Sequence, residues 1–243
     1  MPLTKSARTA LIIIDMDNDN CTGPFPVYNL DEYISNAVRA REACHAAGIP
    51  VIHAKQTYSA HGLDAALCEV RLKDGITPRV SVEGTHGHAI ISELDPGGSD
   101  VVVRKHRWDA FFQTTMLSIL HALDAEQLVF LGGFTDACVL TSVFGGYFND
   151  YPCGIICDAS SCDNEFTHKA AMVMMANWVF DLTVFTTENF VRWTRNEPAP
   201  YWFGGRYNTV PARSSEELEQ QYDALVAGNV STAEPTPTSS VVG

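Results

Sequence analysis

Apolar residues along this chain gather into short unbroken runs separated by stretches with helical spacing. Thr9 to Ile14 is an aliphatic run that stops at a polar cluster of Asp15, Asp17, Asn18, Asp19 and Asn20, which predicts a buried strand entering a loop. Asp31 to Ala47 carries apolar residues at Ile34, Val38 and Ala46 and halts at Gly48, as a helix does, and Ile49 to Ala54 reads as a second strand. Residues 58–99 lose this regularity. Gly62, Gly75, Pro78, Gly84, Gly87, Pro96, Gly97 and Gly98 interrupt them, so a long excursion is expected, with a short helix at Ile90 to Leu94. Excursions of this kind often cover a site.

Asp100 to Val103 predicts a third strand, and Thr114 to Leu123 a helix with Met116, Leu117, Leu120 and Leu123 on one face. Gln127 to Leu131 is a fourth strand, broken by Gly132 and Gly133 before a helix from Cys138 to Phe148. A fifth strand at Cys153 to Cys157, a helix at Thr167 to Phe180, a sixth strand at Leu182 to Thr186 and a helix at Glu188 to Arg195 complete the series. Strands alternating with helices define an α/β fold, a three-layer α/β/α arrangement with a doubly wound, six-stranded parallel sheet. One domain is expected over 1–227, with a C-terminal extension from about residue 196 that holds a helix at Ser214 to Ala227. Pro235, Pro237 and the Ser and Thr residues of 228–243 predict a disordered tail.

Composition narrows the partners. Of 243 residues, 46% are hydrophobic and only 19% charged, enough apolar material for one sizeable core. Lys plus Arg number 16 against 29 Asp plus Glu, a net charge of -13, and that field repels nucleic acid and anionic membrane surfaces. No apolar run approaches the roughly 18 residues that cross a bilayer, and Ala10 to Ile14 is too short for a signal-peptide core, so a cytoplasmic protein is expected. Seven scattered cysteines fit reduced thiols better than a disulfide framework.

In an open parallel sheet, ligands bind beyond the carboxyl ends of the strands. Three chemically distinct groups fall there: Asp15 after the first strand, Lys105 after the third, and Cys138 after the fourth, at a predicted helix start whose dipole favours a thiolate. Each alone has a plain structural reading as well. Cys138 fits a small buried hydrophobe, Asp15 an acceptor for loop hydrogen bonds, and Lys105 a solvated charge.

Four stretches taken together resemble the isochorismatase-like cysteine hydrolases, which include nicotinamidases, N-carbamoylsarcosine amidase, ureidoacrylate and biuret amidohydrolases and isochorismatases. They are Ala10 to Asp19 (ALIIIDMDND), Gly84 to Leu94 (GTHGHAIISEL), Lys105 to Phe112 (KHRWDAFF) and Leu131 to Leu140 (LGGFTDACVL), and the likeness spans roughly residues 8–195. The resemblance implies a Rossmann-like α/β domain with Cys138 as nucleophile, Asp15 as the group that carries the thiol proton to the leaving amine, and Lys105 holding the ionic cluster. It also implies a cis peptide at Gly133-Phe134 and an oxyanion hole formed by the backbone N–H groups of Phe134 and Cys138. The implied activity is cleavage of a linear C–N bond in a small amide or ureido substrate, by a homodimer or homotetramer. Isochorismatase-type vinyl ether hydrolysis and a non-catalytic binding module on the same fold are the alternatives.

Nicotinamidases of this family bind a metal through an Asp-x-His element after the second strand. Here Ser59 stands where the aspartate would be, ahead of His61, and His86 and His88 lack a carboxylate beside them, so no metal is expected. Cys153, Cys157 and Cys162 read as core thiols, and the absence of a G-x-G-x-x-G after any strand argues against a dinucleotide. No cofactor is expected. Trp108, Phe111, Phe134, Arg107 and His61 are the candidate substrate-binding residues, with Arg107 suited to a carboxylate; Asp136 is a candidate helix cap.

Overall fold

The computed structural model describes residues 2–24, 26–68, 79–205 and 212–231. Strand β1 (Thr9–Ile14) is buried along its whole length. Ala10, Ile12 and Ile14 join one core with Met116, Leu120, Phe130, Val143 and Met172, whereas Leu11 and Ile13 join another with Tyr33, Ala37, Leu131, Phe190 and Trp193. Burial on both faces explains why the strand reads as a continuous aliphatic run and not as an alternation.

After β1 the chain runs through α1 (Asn18–Cys21), α2 (Leu30–Ala47), β2 (Val51–Gln56), β3 (Val101–Lys105), α3 (Met116–Ala122), β4 (Gln127–Gly133) and α4 (Leu140–Phe148). It continues through β5 (Cys153–Ser161), α5 (Glu165–Trp178), β6 (Thr183–Phe185), α6 (Thr187–Thr194), β7 (Pro200–Phe203), α7 (Ser215–Ala227) and β8 (Val230–Ser231). The sheet order is β3-β2-β1-β4-β5-β6-β7-β8. The six strands expected from the sequence are present and parallel, and β7 and β8 extend them antiparallel at one edge. Helices α2 and α6 contribute to the core on one face of the sheet and α3, α4, α5 and α7 to the core on the other, which is the three-layer arrangement. The chain steps from β1 outward to β3 and then crosses back to β4 beside β1, so the crevice above β1 and β4 is the switch point where a ligand site belongs.

Several boundaries shift. Strand β7 begins with a proline, tolerated at the first residue of a strand, which is why its sequence does not read as a strand. Within the expected tail, Val230–Ser231 instead join the sheet as β8: Tyr201 pairs with Val230, and the Asn229 side chain accepts from Phe203 N–H at 2.8 Å and donates to Phe203 O at 3.0 Å. The rest of the expected tail, 232–243, lies outside the described residues, as do 69–78 of the excursion. The short helix expected at Ile90 to Leu94 contracts to a 3-10 turn at Ser92–Leu94. Backbone bridges from Asp17 to Ile90 and from Tyr58 to Val82 fasten the excursion over the carboxyl ends of β1 and β2.

Candidate active site

Three neighbouring strand ends build the site. Asp15 follows β1 with φ at 48°, its N–H donating to Ala54 O at 2.9 Å. Lys105 is the last residue of β3, and Gln56, the last of β2, lies opposite it in register. The Lys105 side chain is fully buried, and its Nζ sits 2.6 Å from Asp15 Oδ2. It also donates to Gln56 Oε1 at 2.8 Å and to Arg107 O at 3.3 Å. Gln56 N–H in turn donates to Asp15 Oδ1 at 2.6 Å. Gln56 thus holds the carboxylate with its backbone and the ammonium with its side chain.

Cys138 arrives from the other side of the switch point. Beyond β4 the Gly133-Phe134 peptide is cis, and Thr135–Val139 forms a π-helical turn that runs into α4. The helical winding therefore begins three residues earlier than the sequence suggests, with the Phe134 carbonyl accepting from Ala137 N–H at 3.1 Å and Val139 N–H at 3.0 Å. This turn brings the Cys138 thiol into hydrogen-bond contact with both Asp15 and Lys105. Asp15, Lys105 and Cys138, distant in sequence, are thus one buried cluster.

The electrostatics correct one expectation. A helix-start position suggests a thiol poised to ionise, but burial, reinforced by the Asp15 carboxylate, pushes the Cys138 pKa up, and the opposing Lys105 ammonium does not overcome them. Burial and the carboxylate both favour the protonated thiol over the thiolate. At Lys105 burial works against the charged form, yet the Asp15 carboxylate outweighs it and holds the pKa above the ordinary lysine value. A fourth group, Asp17, is completely buried two residues after Asp15. Its Oδ1 accepts from Asn20 N and Nδ2, both at 3.0 Å, while Oδ2 has no hydrogen-bond partner among the described residues. Burial and the neighbouring Asp15 raise its pKa to about 8.

The remaining candidates separate. Phe134 is half-buried at the start of the turn. Phe111 is buried, 7% exposed, in the same cluster as Cys138, with its ring 6.5 Å from Phe130. Its segment lies hard against α4 because position 145 has no side chain. A Cβ on Gly145 would fall 2.3 Å from Asp109 Oδ1 and 2.7 Å from Phe111 Cδ2, and Ser142 Oγ accepts the Ala110 N–H at 3.0 Å. Trp108, by contrast, is 57% exposed. Arg107 turns Nη1 to Asp64 O at 3.1 Å and offers its own carbonyl to Lys105. His61, His86 and Asp136 are exposed, and buried His88 pairs through Nε2 with Thr57 Oγ1 at 3.0 Å. Cys153, Cys157 and Cys162 are buried in the core. Among the described residues no three His, Cys, Asp or Glu side chains converge as metal ligands, and no helix is long and apolar enough to cross a membrane. Gln56 and Asp17 went unread in the sequence. Two more residues on the second strand would have placed Gln56 level with Lys105.

The Isochorismatase domain model matches residues 9–188, and the chain belongs to that family. Among relatives, ureidoacrylate amidohydrolase RutB of Yersinia enterocolitica is 29% identical over 203 residues, covering 74% of this chain and 88% of that protein. The RutB of Agrobacterium fabrum is 27% identical over 212 residues, covering 79% and 88%. The fold is shared with a cysteine hydrolase from Pseudomonas syringae pv. phaseolicola at a TM-score of 0.71 and 20% identity, covering 81% of this chain and 96% of that one. N-carbamoylsarcosine amidase from Thermoplasma acidophilum aligns at a TM-score of 0.64 and 22% identity, covering 74% and 97%.

Proposed function

We propose that this chain hydrolyses a linear carbon–nitrogen bond of a small amide or ureido compound through a Cys138 thioester. The observation that carries the reading is the thiol in hydrogen-bond contact with one buried carboxylate and one buried ammonium. Asp15 accepts the thiol proton as the sulfur attacks the carbonyl carbon, then delivers it to the nitrogen as the C–N bond breaks and ammonia or an amine leaves. Water next attacks the thioester, gives a proton to Asp15, and the acid departs as the sulfur recovers its proton. Lys105 remains an ammonium throughout, offsetting the negative charge that passes between Asp15 and Cys138. The Phe134 and Cys138 N–H groups serve the tetrahedral oxyanion, and exposed Trp108 with half-buried Phe134 walls the substrate. The ureidoacrylate amidohydrolases among the relatives support the ureido class.

Ammonia release from ureidoacrylate, N-carbamoyl amino acids, biuret, maleamate and nicotinamide tests this reading. Turnover of at least one of the five, abolished in Cys138→Ala, with an acyl adduct on Cys138 by mass spectrometry, is the expected result. Undiminished turnover in that variant would overturn it.

A further inference from the structure

The turn that carries Cys138 is attached to the C-terminal extension through a buried histidine. His168, on α5, is 1% exposed. Its Nδ1 lies 2.9 Å from the hydroxyl of Thr135, the first residue of the π-helical turn, and its Nε2 lies 3.2 Å from the Tyr222 hydroxyl on α7. Thr135 is fully buried, so its hydroxyl has no water to turn to in place of the imidazole. The Tyr222 ring also meets the His168 ring edge-on, at 5.6 Å between centroids, and the Tyr28 ring flanks it at 6.0 Å.

On the same two helices Lys169, the residue after His168, pairs through Nζ with Glu219 at 2.6 Å and with Glu165 at 2.8 Å, and sits 5.4 Å from the centre of the Tyr222 ring. This clamp fixes α7 on α5 in the register that brings Tyr222 to His168. A neutral imidazole donates at one nitrogen and accepts at the other, so either tautomer completes a continuous chain from Tyr222 through His168 to Thr135.

We propose that Tyr222, His168 and Thr135 form a positioning relay by which the C-terminal helix holds the nucleophile turn in its working shape. A relay of this kind acts on the placement of Cys138 and not on substrate affinity. Its catalytic consequence rests on the hydrolase reading given above, whereas the mechanical coupling between α7 and the turn does not.

The test uses the full chain with Tyr222→Phe, which removes one hydroxyl and keeps the ring, and with Thr135→Val. In Tyr222→Phe, hydrogen exchange of the amides of residues 134–139 is expected to rise about fivefold, as for the loss of one buried hydrogen bond. With a substrate that is turned over, kcat falls about fivefold while KM stays within about twofold. Thr135→Val combined with Tyr222→Phe is no worse than Thr135→Val alone, because both cut one chain, and Thr135→Ser recovers most of what Thr135→Val loses. A Tyr222→Phe protein that melts earlier while exchange at 134–139 stays at the wild-type rate would overturn the proposal, as would full multiplication of the two effects. Should wild type turn over no substrate, the exchange arm alone decides the relay, and it is the hydrolase reading that fails.

Discussion

Gly132 passes so close to Ile14 that a Cβ on the glycine would lie 2.1 Å from the Ile14 carbonyl oxygen. Its φ of 126° is likewise one that side-chain-bearing residues avoid. β4 and β1 are drawn together at the switch point by this missing side chain, which sets the Cys138 turn against Asp15. Gly132→Ala is expected to destabilise the fold by roughly 2–3 kcal/mol and to cost most of the turnover; urea unfolding and ammonia release measure the two.

The pair of Asp15 and Lys105 is buried beyond the reach of solvent. Removing the cation strands a carboxylate, and Lys105→Met should lose about 3–5 kcal/mol for that reason. Asp15→Asn combined with Lys105→Met leaves no stranded charge and is expected to regain most of the loss. Turnover stays absent in both. Denaturant midpoints that fall equally in the single and double variants would contradict this account.

Asp17 carries the clearest pH signature. Its folded pKa of about 8 lies above the ordinary carboxyl value, through burial first and the Asp15 and Asp19 charges after it, with Asn20 opposing. The folded chain therefore keeps a proton there that the unfolded chain has released, and stability falls as pH rises from about 4 to about 8. Asp17→Asn retains the acceptor for Asn20 and cannot ionise. Across about pH 5 to about pH 7.5 its unfolding free energy should run flatter than wild type by about 1.4 kcal/mol per pH unit, as for one proton.

Phe111 and Trp108 are neighbours with opposite fates. Phe111→Ala is expected to cost about 3–5 kcal/mol as a core truncation. Trp108→Ala should change stability by no more than about 0.5 kcal/mol and raise KM instead. Thermal melts and steady-state kinetics on the same two preparations separate these effects.

The sequence is most readable where burial is complete. After their first residues, Thr9 and Gln127, the runs of β1 and β4 are apolar throughout because both faces are covered, and glycines and polar clusters mark where they stop. Asp15 and Cys138 are legible because they come after such runs, and Lys105 because it ends the valine run of the edge strand β3. Strand β5 extends past its apolar run to Ser161 because its polar residues are satisfied locally: Ser160 Oγ donates to Ile156 O, and Asp158 Oδ1 accepts from Thr187 N and Oγ1. The burial of Phe111 is not legible in its own segment because it depends on Gly145, 34 residues later, a relationship that no local period records. His168 and Tyr222 escaped notice for the same reason, since what distinguishes them is a meeting of α5, α7 and the Cys138 turn.

Gln56 grips acid and amine at once, so a slip of β2 against its neighbours would carry both charges along as a single body. Their mutual spacing is thereby insulated from such motion, and any misalignment must show up between that body and the sulfur on the far side of the crevice.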